Sequence, residues 1–115
     1  MNKPRYSFRK NLVYALEGFV HVFRHELIFR IEAVLFAVLS IAGGSVDVSK
    51  CEHLWLQVSL FFPIIAELIN SAVERGVDLS TREYHHLAKA AKDSAAAACL
   101  LSVVVTVLVW AVVLL

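Results

Sequence analysis

The sequence predicts an all-α membrane protein, with an amphipathic surface helix at the N-terminus followed by three transmembrane helices. Of its 115 residues, 59% are hydrophobic and the mean hydropathy is +0.70, which is too apolar for an ordinary soluble domain. Residues 94–115 form a run of 22 without a charged side chain, long enough to cross a bilayer core of about 30 Å. A soluble bundle of buried helices is the alternative, and this run argues against it.

We expect one domain over residues 1–115, with the surface helix at about 4–28 and spans at about 29–47, 53–73 and 94–115. In the first helix, apolar side chains recur every three or four positions and basic side chains occupy other faces, a pattern typical of a helix in the membrane interface. Its apolar face consists of Phe8, Leu12, Ala15, Leu16, Phe19, Phe23 and Leu27, and Pro4 suits its first turn.

The first two spans reach sufficient length only if each includes a carboxylate. Their uncharged cores, residues 33–46 and 54–66, have 14 and 13 residues, a length at which spans are ambiguous. Extension into the flanks brings in Glu32 and Glu67, which we expect to face the protein interior because an unpaired charge in lipid is costly.

Turn-forming residues and proline mark the boundaries and one irregularity. Gly43 and Gly44 end the first span, and Pro63 is expected to kink the second span one turn before Glu67. Ser80, with Glu83 three residues later, is expected to cap a helix that continues into the third span.

The basic residues predict the orientation in the membrane. Ten of the eleven lie before or at the start of the first span or between the second and third, and only Lys50 lies in the connection after the first span. Positive charge accumulates on the cytoplasmic side, so the N-terminus and residues 70–94 are predicted to be cytoplasmic. The net charge of +1 gives no indication of a nucleic-acid partner. Cys51 and Cys99 lack metal or redox spacing, so we expect free thiols.

The most informative stretch is residues 67–78, which extends the second span toward water. At about 100° per residue its polar side chains share one face of a helix, in a stripe roughly 16 Å long. The stripe consists of Glu67, Asn70, Ser71, Glu74 and Asp78. A carboxylate at the membrane boundary such as Glu67 is placed to act as a general base toward a lipid headgroup, although an isolated glutamate would more often be a packing residue.

Further polar residues on the same side could complete a phosphate-handling site. Glu26 and Glu74 lie on different helices, and two carboxylates with phosphate oxygens suit Mg²⁺. Lys92 could neutralise a phosphate, and Asp93 could orient it; solvated or snorkelling side chains are the simpler alternatives. Adjacent His85 and His86 point about 100° apart on a helix and so do not chelate a metal. Walker A and GxGxxG motifs are absent from the sequence.

Three motifs resemble the signature of the small prokaryotic diacylglycerol kinase family, which includes undecaprenol kinases. They are residues 67–78, then Glu83-Tyr84-His85, then Lys92-Asp93, and the likeness extends from Tyr14 to Trp110. The resemblance implies a multi-pass homotrimer of the bacterial inner membrane, with active sites shared between subunits on the cytoplasmic side. It also implies transfer of the γ-phosphate of MgATP to the hydroxyl of a membrane lipid, diacylglycerol or alternatively undecaprenol.

The resemblance also implies residue roles. Glu67 would be the catalytic base, and Glu26 and Glu74 would hold the metal ions. The lipid side would be contacted by Glu67, Asn70, Ala96 and Trp110. The ATP contacts would be Tyr14, Glu26, Glu74, Glu83, Tyr84, His85, Lys92 and Asp93.

Two departures from the family pattern affect the substrate. Ser7 stands where the best-known form has a substrate-binding arginine, with Arg5 and Arg9 as neighbouring candidates. Residues 30–32 resemble the Gram-negative pattern, whereas residues 78–93 resemble the Gram-positive one. Outside the kinase class, the carboxylates could line an ion path, which would place acidic residues throughout the membrane, or the chain could be a structural adaptor.

Overall fold

The computed structural model describes residues 7–115, which form five α-helices and no strand. Three helical segments are long and apolar enough to cross a membrane: the second helix, the third and fourth taken together, and the fifth. The predicted all-helical class, with three segments able to span a membrane, is therefore confirmed. Residues 4–6, including Pro4 and Arg5, lie outside the described residues. The helices are α1 (Phe8–His25), α2 (Leu27–Gly44), α3 (Lys50–Ser59), α4 (Phe61–Ser80) and α5 (His86–Leu114).

A single residue, Glu26, joins α1 to α2 with extended backbone angles. The Arg30 side chain reaches back from α2 and donates to the carbonyls of Phe23 and Arg24, at 3.0 and 2.8 Å, so it satisfies acceptors that the end of α1 leaves open. Phe29 is fully buried and meets the rings of Phe19 and Phe23 edge to face. The corner is thus fixed by both polar and aromatic contacts.

The second span is interrupted at Leu60, three residues before Pro63. Pro63 has no N–H, so within a continuous helix it could not bond the carbonyl of Ser59, four residues earlier. In the structure that carbonyl accepts a 2.8 Å hydrogen bond from the Thr106 hydroxyl on α5. The predicted irregularity is confirmed, and a neighbouring helix satisfies the acceptor that proline leaves open.

Polar contacts also connect the helices at the end of the bundle away from the stripe. Ser40 on α2 and Gln57 on α3 exchange two hydrogen bonds, of 2.6 and 3.0 Å. The Trp110 indole on α5 donates to the Leu56 carbonyl and the Ser59 hydroxyl. It also lies against Gly43, where an added Cβ would come within 3.1 Å of the ring. These contacts anchor α5 to the rest of the bundle.

One predicted cap is wrong. Ser80 is the last residue of α4 and donates to the Gly76 carbonyl within that helix, so its hydroxyl is already used. The helix α5 begins instead after His85, whose Nδ1 accepts from the Leu87 amide at 3.1 Å. Between them, the Thr81 hydroxyl accepts from the Glu83 amide at 3.2 Å and shapes a short turn.

We expect Thr106→Val to lower the free energy of unfolding in detergent by about 1–2 kcal/mol, because it leaves the Ser59 carbonyl without its donor. Pro63→Ala restores an amide that can bond this carbonyl, so the loss should shrink when Thr106→Val is made in that background. Ser102→Ala, which removes a hydroxyl bonded within α5, is the control. Equal losses in both backgrounds would contradict the coupling.

Candidate active site

The helix α4 carries the whole polar stripe, as the sequence predicts, and its two central members are buried. Asn70 is 9% exposed and Ser71 is 1% exposed, so these polar groups need partners inside the protein. Glu67 and Glu74 lie one turn to either side of Asn70. Asp78 is near the C-terminal end of the helix, beside the turn that leads to α5.

A cleft of about 530 Å³ opens between the Glu26 corner, α4 and α5, and we call it the first cleft. It brings together five predicted site residues from three parts of the chain. Three of them are carboxylates, which is a high local negative charge for a site beside lipid. The remaining lining is mostly apolar. The first cleft is lined by Glu26, Leu27, Ile28, Glu67, Asn70, Glu74, Ala96 and Cys99.

The carboxylate of Glu26 is held by two side chains of α4. The buried Ser71 hydroxyl donates to Oε2 through a short hydrogen bond, and the Arg75 guanidinium contacts Oε1 at 3.3 Å. Arg75 is about half exposed, whereas Glu26 is mostly covered. Sequence reasoning placed Ser71 in the stripe but found neither contact, because the partners are 45 and 49 positions apart in the sequence.

The nearby imidazole of His21 adds little charge to this corner. Partial desolvation, followed by the positive charges of His25 and Arg75, holds the pKa of His21 below its ordinary value, against the opposing effect of Glu26. His21 and His25 stack with ring centroids 4.2 Å apart. The lowered pKa disfavours the charged form of His21, and Arg75 is the cation that pairs with Glu26.

Asn70 is hydrogen-bonded to one of the carboxylates of the first cleft. Its amide nitrogen donates to Oε1 of Glu74 at 3.2 Å. Its Oδ1 is buried and has no hydrogen-bond partner among residues 7–115. A buried acceptor without a donor is unusual in a native protein.

Glu67 has one hydrogen bond in the described part of the chain. The thiol of Cys99 on α5 donates to its Oε2 at 3.5 Å, and both cysteines are free thiols, as predicted. No motif in the sequence marks Cys99, because it is a lone cysteine in an apolar span. The one signal that could have found it is its position one turn after Ala96, on the same face of α5.

The carboxylate oxygens of the first cleft suit a hard cation. Glu26 and Glu74 offer carboxylate oxygens, which are ligands that Mg²⁺ prefers. No cluster of three His, Cys, Asp or Glu side chains able to hold a metal occurs in residues 7–115. A metal ion would therefore need ligands from outside the chain, and phosphate oxygens are the natural source.

A second cleft of about 380 Å³ lies beside the first, between the C-terminal end of α4 and the start of α5. Lys92 pairs with Asp78 at 2.7 Å, and Lys89 pairs with Asp93 at 2.5 Å. The Asp78 partner was not predicted, although Lys92 and Asp93 were selected. Five predicted ATP-contacting residues line this second cleft: Glu83, Tyr84, His85, Lys92 and Asp93.

Two predicted site residues line neither cleft. Tyr14 lies on α1. Trp110 follows Ala96 by fourteen residues on α5, roughly 21 Å along the helix axis, and it is bonded to α3. Adjacent His85 and His86 do not point about 100° apart, as a shared helix would require: His85 is the extended cap residue before α5, and the two rings stack with centroids 4.7 Å apart.

The fold and the cleft define a class: a helical membrane protein with a carboxylate-lined site where its helices leave the apolar segment. Residues 13–114 match the sequence model of prokaryotic diacylglycerol kinase. The chain belongs to the prokaryotic diacylglycerol kinase family, a family of kinases.

Three relatives show the range of this family. A diacylglycerol kinase of Pseudomonas aeruginosa is 38% identical over 89% of this chain and 83% of its own length. A diacylglycerol kinase of Escherichia coli K12 is 33% identical over 88% and 83% of the two chains. An undecaprenol kinase of Bacillus subtilis is 37% identical over 84% and 80%. The relatives named for diacylglycerol and the relative named for undecaprenol thus have nearly the same identity to this chain.

The contacts of Glu26 predict an order of stability effects. Ser71→Ala should lower the free energy of unfolding by about 1.5–3 kcal/mol, because a buried donor to a charged group is lost. Arg75→Ala should cost less, about 0–1 kcal/mol, because its ion pair is solvent-screened. Chemical unfolding in detergent measures both.

Ser94→Ala is the matched control, since that hydroxyl is exposed and bonds its own helix. A loss for Ser71→Ala no larger than for Ser94→Ala would show that the contact with Glu26 contributes nothing.

Proposed function

We propose that the chain is an ATP-dependent lipid kinase that transfers the γ-phosphate of ATP to the hydroxyl of diacylglycerol, giving phosphatidic acid. The observation that carries the proposal is the first cleft, where Glu67, Asn70 and two further carboxylates meet an apolar wall. A lipid that carries one hydroxyl requires this combination, since its chains remain in the membrane while the hydroxyl reaches polar groups.

In this mechanism Glu67 takes the proton of the lipid hydroxyl. The oxygen then attacks the γ-phosphorus in line with the bond to the β-phosphate, which breaks, and ADP leaves. Asn70 lies one turn from Glu67 in the same cleft, so it is suited to orient the hydroxyl. Most of the catalytic effect comes from positioning and electrostatics, because phosphoryl transfer needs little covalent chemistry from the protein.

Glu26 and Glu74 are proposed to hold Mg²⁺. When bound, the metal neutralises charge on the phosphates. The chain's own contribution is to keep both carboxylates in the first cleft: Ser71 and Arg75 hold Glu26, and Asn70 holds Glu74. Each carboxylate oxygen has more than one lone pair, so these contacts leave lone pairs available to a cation.

The second cleft is proposed to bind ATP. Lys92 supplies a positive charge to the phosphates as a compact ammonium group, and it lies within reach of Asp78, which holds it in place beforehand. Tyr84 and His85 offer exposed rings at the mouth of the cleft, suited to stack on a base. Glu83 and Asp93 complete the polar lining.

The distance between predicted residues supports active sites shared in a homotrimer. Tyr14, an expected ATP contact, and Trp110, an expected lipid contact, line neither cleft of their own chain. A neighbouring copy could bring either of them to a site. Large apolar side chains are exposed along α5. Only 6% of the residues in its most apolar stretch are buried within the chain, so α5 has a free face for a partner.

We propose that residues 1–115 form one domain of the bacterial inner membrane, with its N-terminus and active site in the cytoplasm. The support is the distribution of basic residues. The helix α1 has a row of exposed apolar side chains, Phe8, Leu12, Leu16, Phe19 and Phe23, and would lie in the membrane interface.

Undecaprenol is the second candidate substrate, because the Bacillus subtilis undecaprenol kinase is 37% identical to this chain. The acceptor changes in that case, whereas the roles of Glu67 and the phosphate-binding residues do not.

The lipid-kinase proposal predicts ATP consumption that depends on an acceptor lipid. Purified protein in detergent, given MgATP with diacylglycerol or with undecaprenol, should yield the phosphorylated lipid and ADP, faster with diacylglycerol. Glu67→Gln should lower kcat by about 10²–10⁴ with little change in the KM for ATP, because a general base is lost. No lipid-dependent ADP release with either acceptor would refute the proposal, and faster turnover of undecaprenol would favour the second candidate.

Glu74→Ala should raise the concentration of Mg²⁺ and of MgATP needed for half-maximal rate, by roughly tenfold or more, because one of two anionic ligands is removed. Titrations of Mg²⁺ at fixed ATP measure this effect. Glu17→Gln, on the exposed surface of α1, is a control that removes the same charge elsewhere. If Glu67→Gln and Glu74→Ala both raised only the KM for lipid, the roles would be wrongly assigned.

A further inference from the structure

We propose that Cys99 is a positioning residue for Glu67, holding Oε2 of its carboxylate and leaving Oε1 for the lipid hydroxyl. The inference deepens the proposed function and rests on it, since Glu67 is the base there. It concerns a residue that no motif in the sequence marks.

The geometry of the first cleft carries the proposal. Cys99 lines this cleft from α5 while Glu67 lines it from α4, and the thiol donates to Oε2 at 3.5 Å. Among residues 7–115 no other group donates to the Glu67 carboxylate. A glutamate side chain has three rotatable bonds, and this contact is the one hydrogen bond in the described chain that fixes the direction of its oxygens.

A second feature of the same cleft suits a hydroxyl-bearing ligand. Glu67 and Asn70 lie three residues apart, on the same face of α4, and both line the first cleft. The Asn70 side chain is held by its bond to Glu74. With Oε2 of Glu67 bonded to Cys99, Oε1 is the oxygen that this carboxylate offers to a ligand that brings the donor.

The chemistry of a thiol suits this role. Sulfur is polarisable and tolerates apolar surroundings, as expected for a wall where lipid enters. The S–H group is a weak donor, so it orients the carboxylate while leaving most of its basicity for the lipid hydroxyl. A strong donor in the same place would stabilise the charged form and make it a poorer base.

The first test is kinetic. Cys99→Ala should lower kcat about tenfold, through loss of one hydrogen bond to a charged group, with the KM for MgATP unchanged. Cys99→Ser keeps a donor and should recover to within about threefold of the wild type, with the acid limb of its pH–rate profile at lower pH. Cys51→Ala, an exposed thiol on α3, is the control and should match the wild type.

Two kinetic results would overturn the proposal. One is a Cys99→Ala variant with the kcat and pH profile of the wild type. The other is a Cys99→Ser variant as impaired as Cys99→Ala, which would show that the size or packing of the side chain matters and its hydrogen bond does not.

The second test does not require activity. In the Cys51→Ala background Cys99 is the single thiol, and its infrared S–H stretching band should move to higher frequency on Glu67→Gln, since an amide is a weaker acceptor than a carboxylate. An unmoved band would exclude the contact and the proposal with it. A band that moves, in a protein without lipid-dependent ATP consumption, would support the contact and contradict the proposed function instead.

Discussion

The contact of Glu26 with Ser71 and Arg75 is the interaction on which the first cleft depends. Glu26 is the single residue between α1 and α2, and both of its partners are on α4. The same hydrogen bonds therefore set the direction of α1, close one side of the cleft and satisfy a charge beside the membrane-spanning segment. Removing one partner leaves a partly covered carboxylate short of donors, which costs more than the contact contributes when intact.

The helix break at Leu60 constrains α5 in a comparable way. Because Pro63 cannot bond the Ser59 carbonyl, the acceptor is satisfied by Thr106, and the second span requires α5 as a neighbour. The same helix α5 supplies Cys99 to the first cleft and Lys92 to the second. Backbone satisfaction inside the apolar segment thereby fixes the position of side chains at its boundary.

Periodicity and composition were sufficient to predict the three spans, the irregularity near Pro63 and a polar face from Glu67 to Asp78. These follow from local rules, because residues on one face of a helix have a fixed spacing in sequence. Contacts between different helices have no fixed spacing in sequence. The contacts of Glu26 and the pairing of Lys92 with Asp78 depend on how the helices pack. Ser80 was predicted as a helix cap because local rules favour serine at that position, but its hydroxyl instead donates to the Gly76 carbonyl within α4.

The exposure of the chain leads to a final inference about assembly. In residues 7–115 the buried hydrophobic side chains are Val22, Phe29, Leu56 and Leu60, far fewer than a stable isolated bundle needs. Lipid can cover some of the exposed apolar faces, and a second copy of the chain can cover others. The sparse burial of α5 within one chain thus agrees with the neighbouring subunit that the family resemblance implies.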